Sequence, residues 1–281
     1  METLPLDAVD GHLDVGPRLH YRQVGDSTGP GVLVLHGIMG LSREWDTLTQ
    51  TLARSHRVVA LDLRGHGRSE WADTYTASAM ADDVVAAIES LDLAPSHLVG
   101  HSMGGMVALL VAARRPDLVD RLVVIDVGPD SLVGEFADGL SDWLTMLGET
   151  RYTGHDDASR IWLDGNPLAR PELIAHYVEH NLVTGPDGRW GWRFDAAGLV
   201  GFVTDGVTTH ELWEAVDVID QPTLLIRGES SPVFSRVHAQ EMMVRLGDAS
   251  LVEIPAGAHD LGVEQPEAVT RAIESFLIRP S

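Results

Sequence analysis

The stretch LVGHSMGGMV (98–107) places a serine among small residues at the point where an apolar strand gives way to a helical pattern. Residues 100–104 match G-x-S-x-G, directly after the strand and directly before the helix. A strand-to-helix turn this tight strains the serine backbone and requires small neighbours. The stretch therefore predicts a sheet whose strands are linked by helices, with the Ser102 hydroxyl projecting beyond a strand end.

Strands and helices alternate on both sides of this turn. Short, nearly continuous apolar runs are typical of parallel strands that are covered on both faces. Such runs span 31–37, 56–63, 96–101, 121–127, 222–228 and 249–255. Apolar residues at helical spacing predict helices over 76–91, 102–116 and 265–278. Alternation of this kind predicts an α/β fold with right-handed crossover connections.

The alternation is interrupted in the second half of the chain. Residues 131–216 contain helical pieces, several glycines and most of the tryptophans, and they begin after one strand and end before the next. We therefore expect a helical cap over 131–216, inserted into a core formed by 1–130 and 217–281. An insertion at the carboxyl ends of strands would lie over the ligand crevice of the sheet. Residues 4–9 and 18–24 are expected to pair as an antiparallel ribbon at the sheet edge.

The composition excludes several classes of function. The 281 residues carry a net charge of −22, which would repel nucleic acid and anionic membrane surfaces. All 20 basic residues are arginine, which excludes a lysine Schiff base and a P-loop lysine. The absence of cysteine excludes disulfides, thiolate chemistry and cysteine-ligated metals. We find neither an apolar run long enough to span a bilayer nor a secretion signal, and expect a cytoplasmic location.

Ser102 is the candidate nucleophile, and it needs a base that takes its proton. The chain order serine, acid, histidine accompanies this kind of turn and points to a late histidine. His259 follows the last predicted strand and precedes the last helix, which makes it the candidate base. The main-chain N–H groups of Ile38, just after the first buried strand, and of Met103, at a helix start, are placed to bind a developing oxyanion.

Five segments carry a resemblance to the α/β-hydrolase superfamily that extends from end to end of the chain. They are HGIMG (36–40), DLRGHGRS (62–69), GHSMGG (100–105), IDVGP (125–129) and AGAHDL (257–262). The resemblance implies an α/β-hydrolase fold, with an eight-stranded, mostly parallel sheet flanked by helices and an inserted cap. It also implies Ser–acid–His chemistry without a cofactor. Arg64 and His66 resemble family residues that hold a loop beside the site.

The acid of such a site has more than one candidate. In most of the family it lies a few residues after the strand that corresponds to 222–228, where residues 230–232 of this chain read SSP. Glu229 is the carboxylate available there, and it comes earlier than usual. Some members carry the acid at the end of the preceding sheet strand, which here ends in Asp126. We expect Asp126 to be the acid, because an aspartate in an apolar strand end must be paired to be buried. Glu229, Asp130 and a site without any acid remain as alternatives.

Three further side chains are expected to border the substrate. His36 lies beside the oxyanion loop, and its ring is better suited to ordering that loop than to moving protons. Trp143 belongs to a set of cap tryptophans that either line an aromatic pocket or fill the core of the cap. Phe234 follows the loop that usually carries the acid and is expected at the pocket wall.

The segment HYVEH (176–180) matches the zinc-binding pattern H-x-x-E-H. On a helix, His176 and His180 would share one face. A catalytic zinc site also needs a third ligand and an open coordination position. Because no other feature indicates a metalloprotease, we interpret this segment as a polar helix of the cap and expect no metal.

These features favour a cofactor-independent serine hydrolase of a small organic ester, lactone or related carbonyl compound, carbon–carbon bond hydrolysis included. The alternative class is the cofactor-free dioxygenases of N-heteroaromatic rings, which resemble this chain in fold, in the Ser and His positions and in an acid after the earlier strand. A ligand receptor on a hydrolase scaffold is less favoured. The expected partner is an aromatic or apolar small molecule, and neither nucleic acid nor a membrane; the oligomeric state is open.

Overall fold

The computed structural model describes residues 7–26 and 28–278. In chain order the strands are β1 (Ala8–Asp14), β2 (Arg18–Val24), β3 (Gly31–Leu35), β4 (Arg57–Leu61), β5 (Ser96–His101), β6 (Val119–Ile125), β7 (Leu182–Thr184), β8 (Trp190–Trp192), β9 (Thr223–Gly228) and β10 (Ala249–Ile254). The helices are α1 (Asp46–Leu52), α2 (Ala77–Ser90), α3 (Met103–Arg114), α4 (Gly134–Glu149), α5 (His155–Gly165), α6 (Pro171–Asn181), α7 (Ala196–Asp205), α8 (Thr209–Val216), α9 (Arg236–Arg245), α10 (Leu261–Glu264) and α11 (Pro266–Leu277).

Eight of the strands form one sheet in the order β1-β2-β4-β3-β5-β6-β9-β10. β2 pairs antiparallel with β1 and β4, whereas the remaining neighbours in the sheet pair in parallel. Parallel pairing requires a long connection between strands, and helices supply it here. The predicted α/β fold with an eight-stranded, mostly parallel sheet is confirmed.

The sheet is covered on both faces, which explains the unbroken apolar runs of its central strands. Successive side chains of a strand point to opposite faces. In β3, Leu33 and Leu35 join a core cluster with α2 and α3, whereas Val32 and Val34 join a second cluster with α1 and α11. All five residues of β3 are buried. Each apolar side chain of such a strand therefore contributes about 1.5–3 kcal/mol of burial free energy.

The amino-terminal ribbon forms at the predicted edge but begins later than expected. β1 and β2 pair antiparallel from Ala8 with Val24 to Asp14 with Arg18. The prediction placed the first strand over 4–9, of which 4–6 lie outside the described residues. The strand is half exposed and polar in its second half, so hydrophobic alternation gave a weak signal for its end.

The segment between β6 and β9 leaves the sheet. It contains α4 to α8, and a small two-stranded sheet of β7 and β8 lies between α6 and α7. The sequence led us to expect helices alone here, because strands of three residues are too short for a periodic signal. α4 packs against α7, and α5 packs against α6, so the segment has internal packing of its own.

The carboxyl ends of β3, β5, β6 and β9 gather at one edge of the sheet, beneath this segment. Ligands of open α/β sheets bind at this edge. Among the described residues, no helix combines the length and the apolar character needed to cross a membrane.

Candidate active site

Ser102 lies at the turn between β5 and α3 with φ 51° and ψ −121°. A positive φ is uncommon for a residue other than glycine and stores backbone strain, which clusters at functional sites. At Gly104 a Cβ atom would lie 2.5 Å from the main-chain oxygen of His36, so only glycine allows α3 to start this close to the end of β3. The turn brings Ser102 to the wall of a cavity of about 250 Å³.

A line of hydrogen bonds joins Ser102, His259 and Asp126. Ser102 Oγ lies 3.0 Å from His259 Nε2, and His259 Nδ1 lies 2.8 Å from Asp126 Oδ2. These contacts fit the neutral tautomer that carries its proton on Nδ1. In that tautomer the ring donates from Nδ1 to the carboxylate and accepts from the serine hydroxyl at Nε2. The structure thus brings together the three residues that the sequence singled out, from the ends of β5 and β6 and the loop after β10.

Asp126 is fully buried, and its carboxylate is satisfied from several directions. Its Oδ1 accepts a hydrogen bond from the Gly228 N–H at 2.8 Å, and its Oδ2 accepts one from the Ser231 hydroxyl at 2.6 Å. The Ser231 oxygen in turn accepts from the N–H groups of Val233 and Phe234, at 3.1 and 3.0 Å. These bonds and the His259 ring compensate the cost of burying the charge.

The other candidate acids lie elsewhere. Glu229 is exposed at the surface, and its Oε2 accepts a hydrogen bond from the Ala256 N–H at 3.2 Å. Asp130 accepts a hydrogen bond from the Trp213 indole of α8 at 3.1 Å. Both carboxylates are committed to local contacts, whereas Asp126 faces the imidazole.

The surroundings of His259 favour its charged form. Burial on its own lowers the pKa of the ring, but the hydrogen bond and charge of Asp126 outweigh it and raise the pKa above its ordinary value. The charges of Asp260 and Glu264 act in the same direction. A ring in this setting is stabilised when it takes the serine proton.

The loop after β3 lies on the other side of Ser102. Ile38 and Met103 both line the cavity beside the serine, as a pair of oxyanion-binding amides would have to. Met39 has a φ of 65°, and its main-chain oxygen accepts hydrogen bonds from Tyr177 Oη and Asn181 Nδ2 of α6, both at 2.8 Å. A helix of the inserted segment therefore holds the loop that carries the Ile38 N–H.

His36 does not line the cavity, although the sequence analysis placed it among the substrate-binding residues. Its side chain is fully buried and absent from the cavity wall. Its Nδ1 donates to the Gly37 oxygen at 2.7 Å, and its Nε2 accepts from the Leu63 N–H at 3.0 Å. Burial lowers the pKa of His36, which fits a neutral ring with one donor and one acceptor. The ring orders the loop, as the sequence analysis also expected.

Phe234 does not line the cavity either, although the sequence analysis expected it at the pocket wall. It is fully buried, its ring packs against Gly128, and its neighbour Val233 lines the cavity in its place. The ring thereby ties the loop after β9 to the loop after β6. Trp143 does line the cavity, together with other aromatic side chains of the inserted segment. These are Phe136, Trp162, Tyr177 and Phe202.

The polar end of the cavity is acidic. Glu44 and Asp260 line it, and none of the lining side chains in the described part of the chain is an arginine. Burial and then the charge of Asp260 raise the pKa of Glu44 to about 8. His101 Nδ1, itself buried without a hydrogen-bond partner among the described residues, lies 4.0 Å from the Glu44 carboxyl.

Sequence reasoning missed Ser231 and Glu44. The signal for Ser231 was its position, since it occupies the place where the acid is usual, yet only the folded loop shows its hydroxyl on Asp126. Glu44 had no signal, because it lies in a short 3₁₀ turn (Ser42–Trp45) outside any motif. Arg64, read as structural, pairs with Asp83 at 2.6 and 2.7 Å.

Comparison with known proteins agrees with this geometry. Residues 32–272 match the model of the alpha/beta hydrolase family. Lipase LipV of Mycobacterium tuberculosis is 34% identical over 92% of this chain and 97% of its own length. The sn-1-specific diacylglycerol lipase ABHD11 of Mus musculus is 28% identical over 90% of this chain and 82% of its own. The crystal structure of E-2-(acetamidomethylene)succinate hydrolase superposes with a TM-score of 0.86 at 26% identity, covering 97% of this chain and all of the other.

The family model covers well over half of the chain, and the named relatives are lipases and hydrolases. The fold, the strained serine turn and the order of the segments agree with that match. The chain belongs to the α/β hydrolase family and is an enzyme.

Proposed function

We propose that this enzyme hydrolyses small organic esters through an acyl-enzyme formed on Ser102. The observation that carries the proposal is the line from Ser102 Oγ through the His259 ring to Asp126, with contacts of 3.0 and 2.8 Å. The names of its lipase and esterase relatives support the ester as the substrate class.

The three residues of the line have different roles in the reaction. His259 takes the proton of Ser102 as the hydroxyl attacks the ester carbonyl, and the N–H groups of Ile38 and Met103 stabilise the oxyanion. His259 then gives this proton to the departing alcohol. Water activated by the same ring hydrolyses the acyl-enzyme, while Asp126 keeps the ring in its productive tautomer.

The cavity favours a substrate without negative charge. Its aromatic wall suits an apolar or aromatic group, and its polar end carries the Asp260 carboxylate with no guanidinium to offset a further anion. A carboxylate on the substrate would lie near like charge in a partly desolvated site. We therefore propose a neutral ester of modest size as the substrate.

Labelling with a fluorophosphonate and hydrolysis of p-nitrophenyl butyrate test the acyl-enzyme. Ser102→Ala should abolish both the label and the hydrolysis, with a loss of about 10⁴-fold or more in kcat. Ser230→Ala, at an exposed serine, is the matched control and should retain both. Substantial turnover by Ser102→Ala would exclude the mechanism.

A charged substrate analogue tests the preference for a neutral ester. p-Nitrophenyl hemisuccinate resembles the butyrate in size but carries a carboxylate. We expect its kcat/KM to be at least about tenfold lower than that of the butyrate, and we expect Asp260→Asn to reduce this difference. Equal rates for the two esters would remove charge as a selection rule.

One observation keeps the dioxygenase as a second candidate. The carboxylate that contacts His259 follows β6, where the resemblance to that class predicts an acid. Oxygen uptake with release of carbon monoxide from an N-heteroaromatic substrate would identify that activity. We expect neither oxygen uptake nor carbon monoxide release with such a substrate.

A further inference from the structure

His176, Glu179 and His180 of α6 form a cluster whose function the ester chemistry does not explain. Their candidate ligand atoms all lie within 4.8 Å of one another, and they are the one group of three such side chains that could hold a metal ion in the described part of the chain. The spacing i, i+3, i+4 puts them on one helix face. The two imidazole rings lie 4.7 Å apart, centre to centre, and nearly perpendicular at 82°.

The core supplies a partner for this cluster that the sequence could not reveal. Asp46, the first residue of α1, places its Oδ2 3.2 Å from His176 Nε2. Asp46 therefore links α1 to this cluster through its contact with His176, although its carboxylate lies outside the set of three ligand atoms that are within 4.8 Å of one another. Imidazole ligands select zinc, copper or nickel ions rather than magnesium or calcium, which prefer oxygen ligands throughout.

We propose that His176, Glu179 and His180 bind one divalent transition-metal ion, and that the contact between Asp46 and His176 then fastens α6 to the core. A tetrahedral zinc ion with bonds of about 2.1 Å places its ligand atoms about 3.4 Å apart. The candidate ligand atoms must therefore move closer to one another by roughly an ångström to bind it. Glu179 is exposed, and its side chain can change rotamer to close this gap.

The charges around the group permit such an ion. Arg22 Nε and Arg43 Nε lie 3.7 and 3.8 Å from the Asp46 carboxylate and compete for it. The carboxylates of Glu179 and Asp46 balance these two guanidinium groups.

The position gives the ion a consequence for the rest of the molecule. The next residues on α6, Tyr177 and Asn181, are those that hold the main-chain oxygen of Met39 beside the site. An ion bound at His176 and His180 would fix the same helix to α1 through Asp46. The bound metal is therefore expected to restrain the helix that supports the oxyanion loop.

Calorimetric titration of the untagged full chain with ZnCl₂ tests the site. The wild type should bind one ion, and His176→Gln and His180→Gln should each weaken binding by at least about tenfold. His210→Ala is the matched control, since His210 is an exposed helical histidine paired with Glu214 at i+4, and it should bind as the wild type does. Wild-type affinity in both glutamine variants would overturn the proposal.

Two further measurements keep the test decisive if one variant folds poorly. Co²⁺ bound to the wild type should give the visible absorption of a four-coordinate site, and a six-coordinate spectrum would count against the site. Zinc should also raise the thermal midpoint, because it binds the folded chain alone, and Asp46→Asn should reduce that increase. An equal increase in Asp46→Asn would show that the core takes no part. None of these readouts uses ester turnover, so the site stands or fails separately from the proposed function.

Discussion

The neighbouring strands β6 and β9 are each followed by a carboxylate, and the two carboxylates lie in opposite environments, one buried and one exposed. Asp126, after β6, is fully buried, has a φ of 53° and makes contacts with Gly228, Ser231 and His259. Glu229, after β9, is exposed and accepts a hydrogen bond from one main-chain N–H. Both side chains end in a carboxylate, so what distinguishes them is their surroundings and not their functional group.

The difference shows how the acid can lie on one strand and its support on the next. The loop after β9 turns at Gly228, where a Cβ atom would lie 1.9 Å from the Ala258 oxygen, so it runs against the segment that carries His259. In that loop Ser231 donates a hydrogen bond where other members carry the acid. In the proposed mechanism Asp126 acts on the His259 ring, and Ser231 holds Asp126 from the strand end where other members carry the acid.

The largest expected effect comes from removing the Asp126 charge. Asp126→Asn keeps the shape but leaves the imidazole without an anionic partner and free to adopt the wrong tautomer, and kcat should fall by about 10⁴-fold. Glu229→Gln should leave kcat within about twofold, because surface changes away from the site have little effect. Steady-state hydrolysis of p-nitrophenyl butyrate measures both. The reverse ranking would return the acid to β9.

A double substitution tests whether the two strand ends are interchangeable. In the Asp126→Asn background, Ser231→Asp puts a carboxylate next to the position of the lost one, since the two oxygens lie 2.6 Å apart in the wild type. We expect kcat to recover by about 10–100-fold over Asp126→Asn alone, less than full because the geometry is not optimised.

Ser230→Asp in the same background is the control for that rescue. It adds the same charge one residue away at an exposed position and should recover nothing. Equal recovery in both double variants would mean that any nearby charge helps, and the specific pairing would be wrong.

A smaller effect is expected when Ser231 alone is changed. Ser231→Ala removes a hydrogen bond to a buried carboxylate, worth about 1.5–3 kcal/mol, and leaves two main-chain N–H groups without that acceptor. Since His259 and Gly228 still hold Asp126, we expect a decrease in kcat of about tenfold with KM nearly unchanged. Ser231→Thr, which keeps the hydroxyl, should restore most of the activity. A change in KM alone would make Ser231 a pocket residue.

The sequence specified the strands of the central sheet well, for a physical reason. β3, β5 and β9 are buried on both faces, so their apolar runs carry the signal without reference to distant residues. Asp126 followed from the family order together with the cost of burying a lone carboxylate. The support from Ser231 could not be predicted in the same way, because it depends on the path of a loop across a neighbouring strand end.

Two expectations for the site differ from the structure for the same reason, because they also depend on how a loop packs. His36 and Phe234 were assigned to the pocket from their distance along the chain to Ile38 and to β9. Each side chain instead points into the protein, where His36 satisfies two main-chain groups and Phe234 joins two loops. Local sequence locates a loop, whereas the direction of its side chains depends on what packs beneath it.

The pKa of His259 distinguishes Asp126 from Glu229 directly, although the expected effect is smaller than the effects on kcat. The base must be neutral, so wild-type kcat/KM should fall as the pH drops through the raised pKa of His259, above 6.5. Asp126→Asn removes the main cause of the rise and leaves burial, which lowers the pKa, so the midpoint of His259 should move to lower pH by at least about one unit. NMR titration of the His259 ring protons, assigned with His259→Gln, measures this without relying on residual activity. Glu229→Gln should leave the midpoint in place, and a shift in that variant instead would identify Glu229 as the charge that acts on the ring.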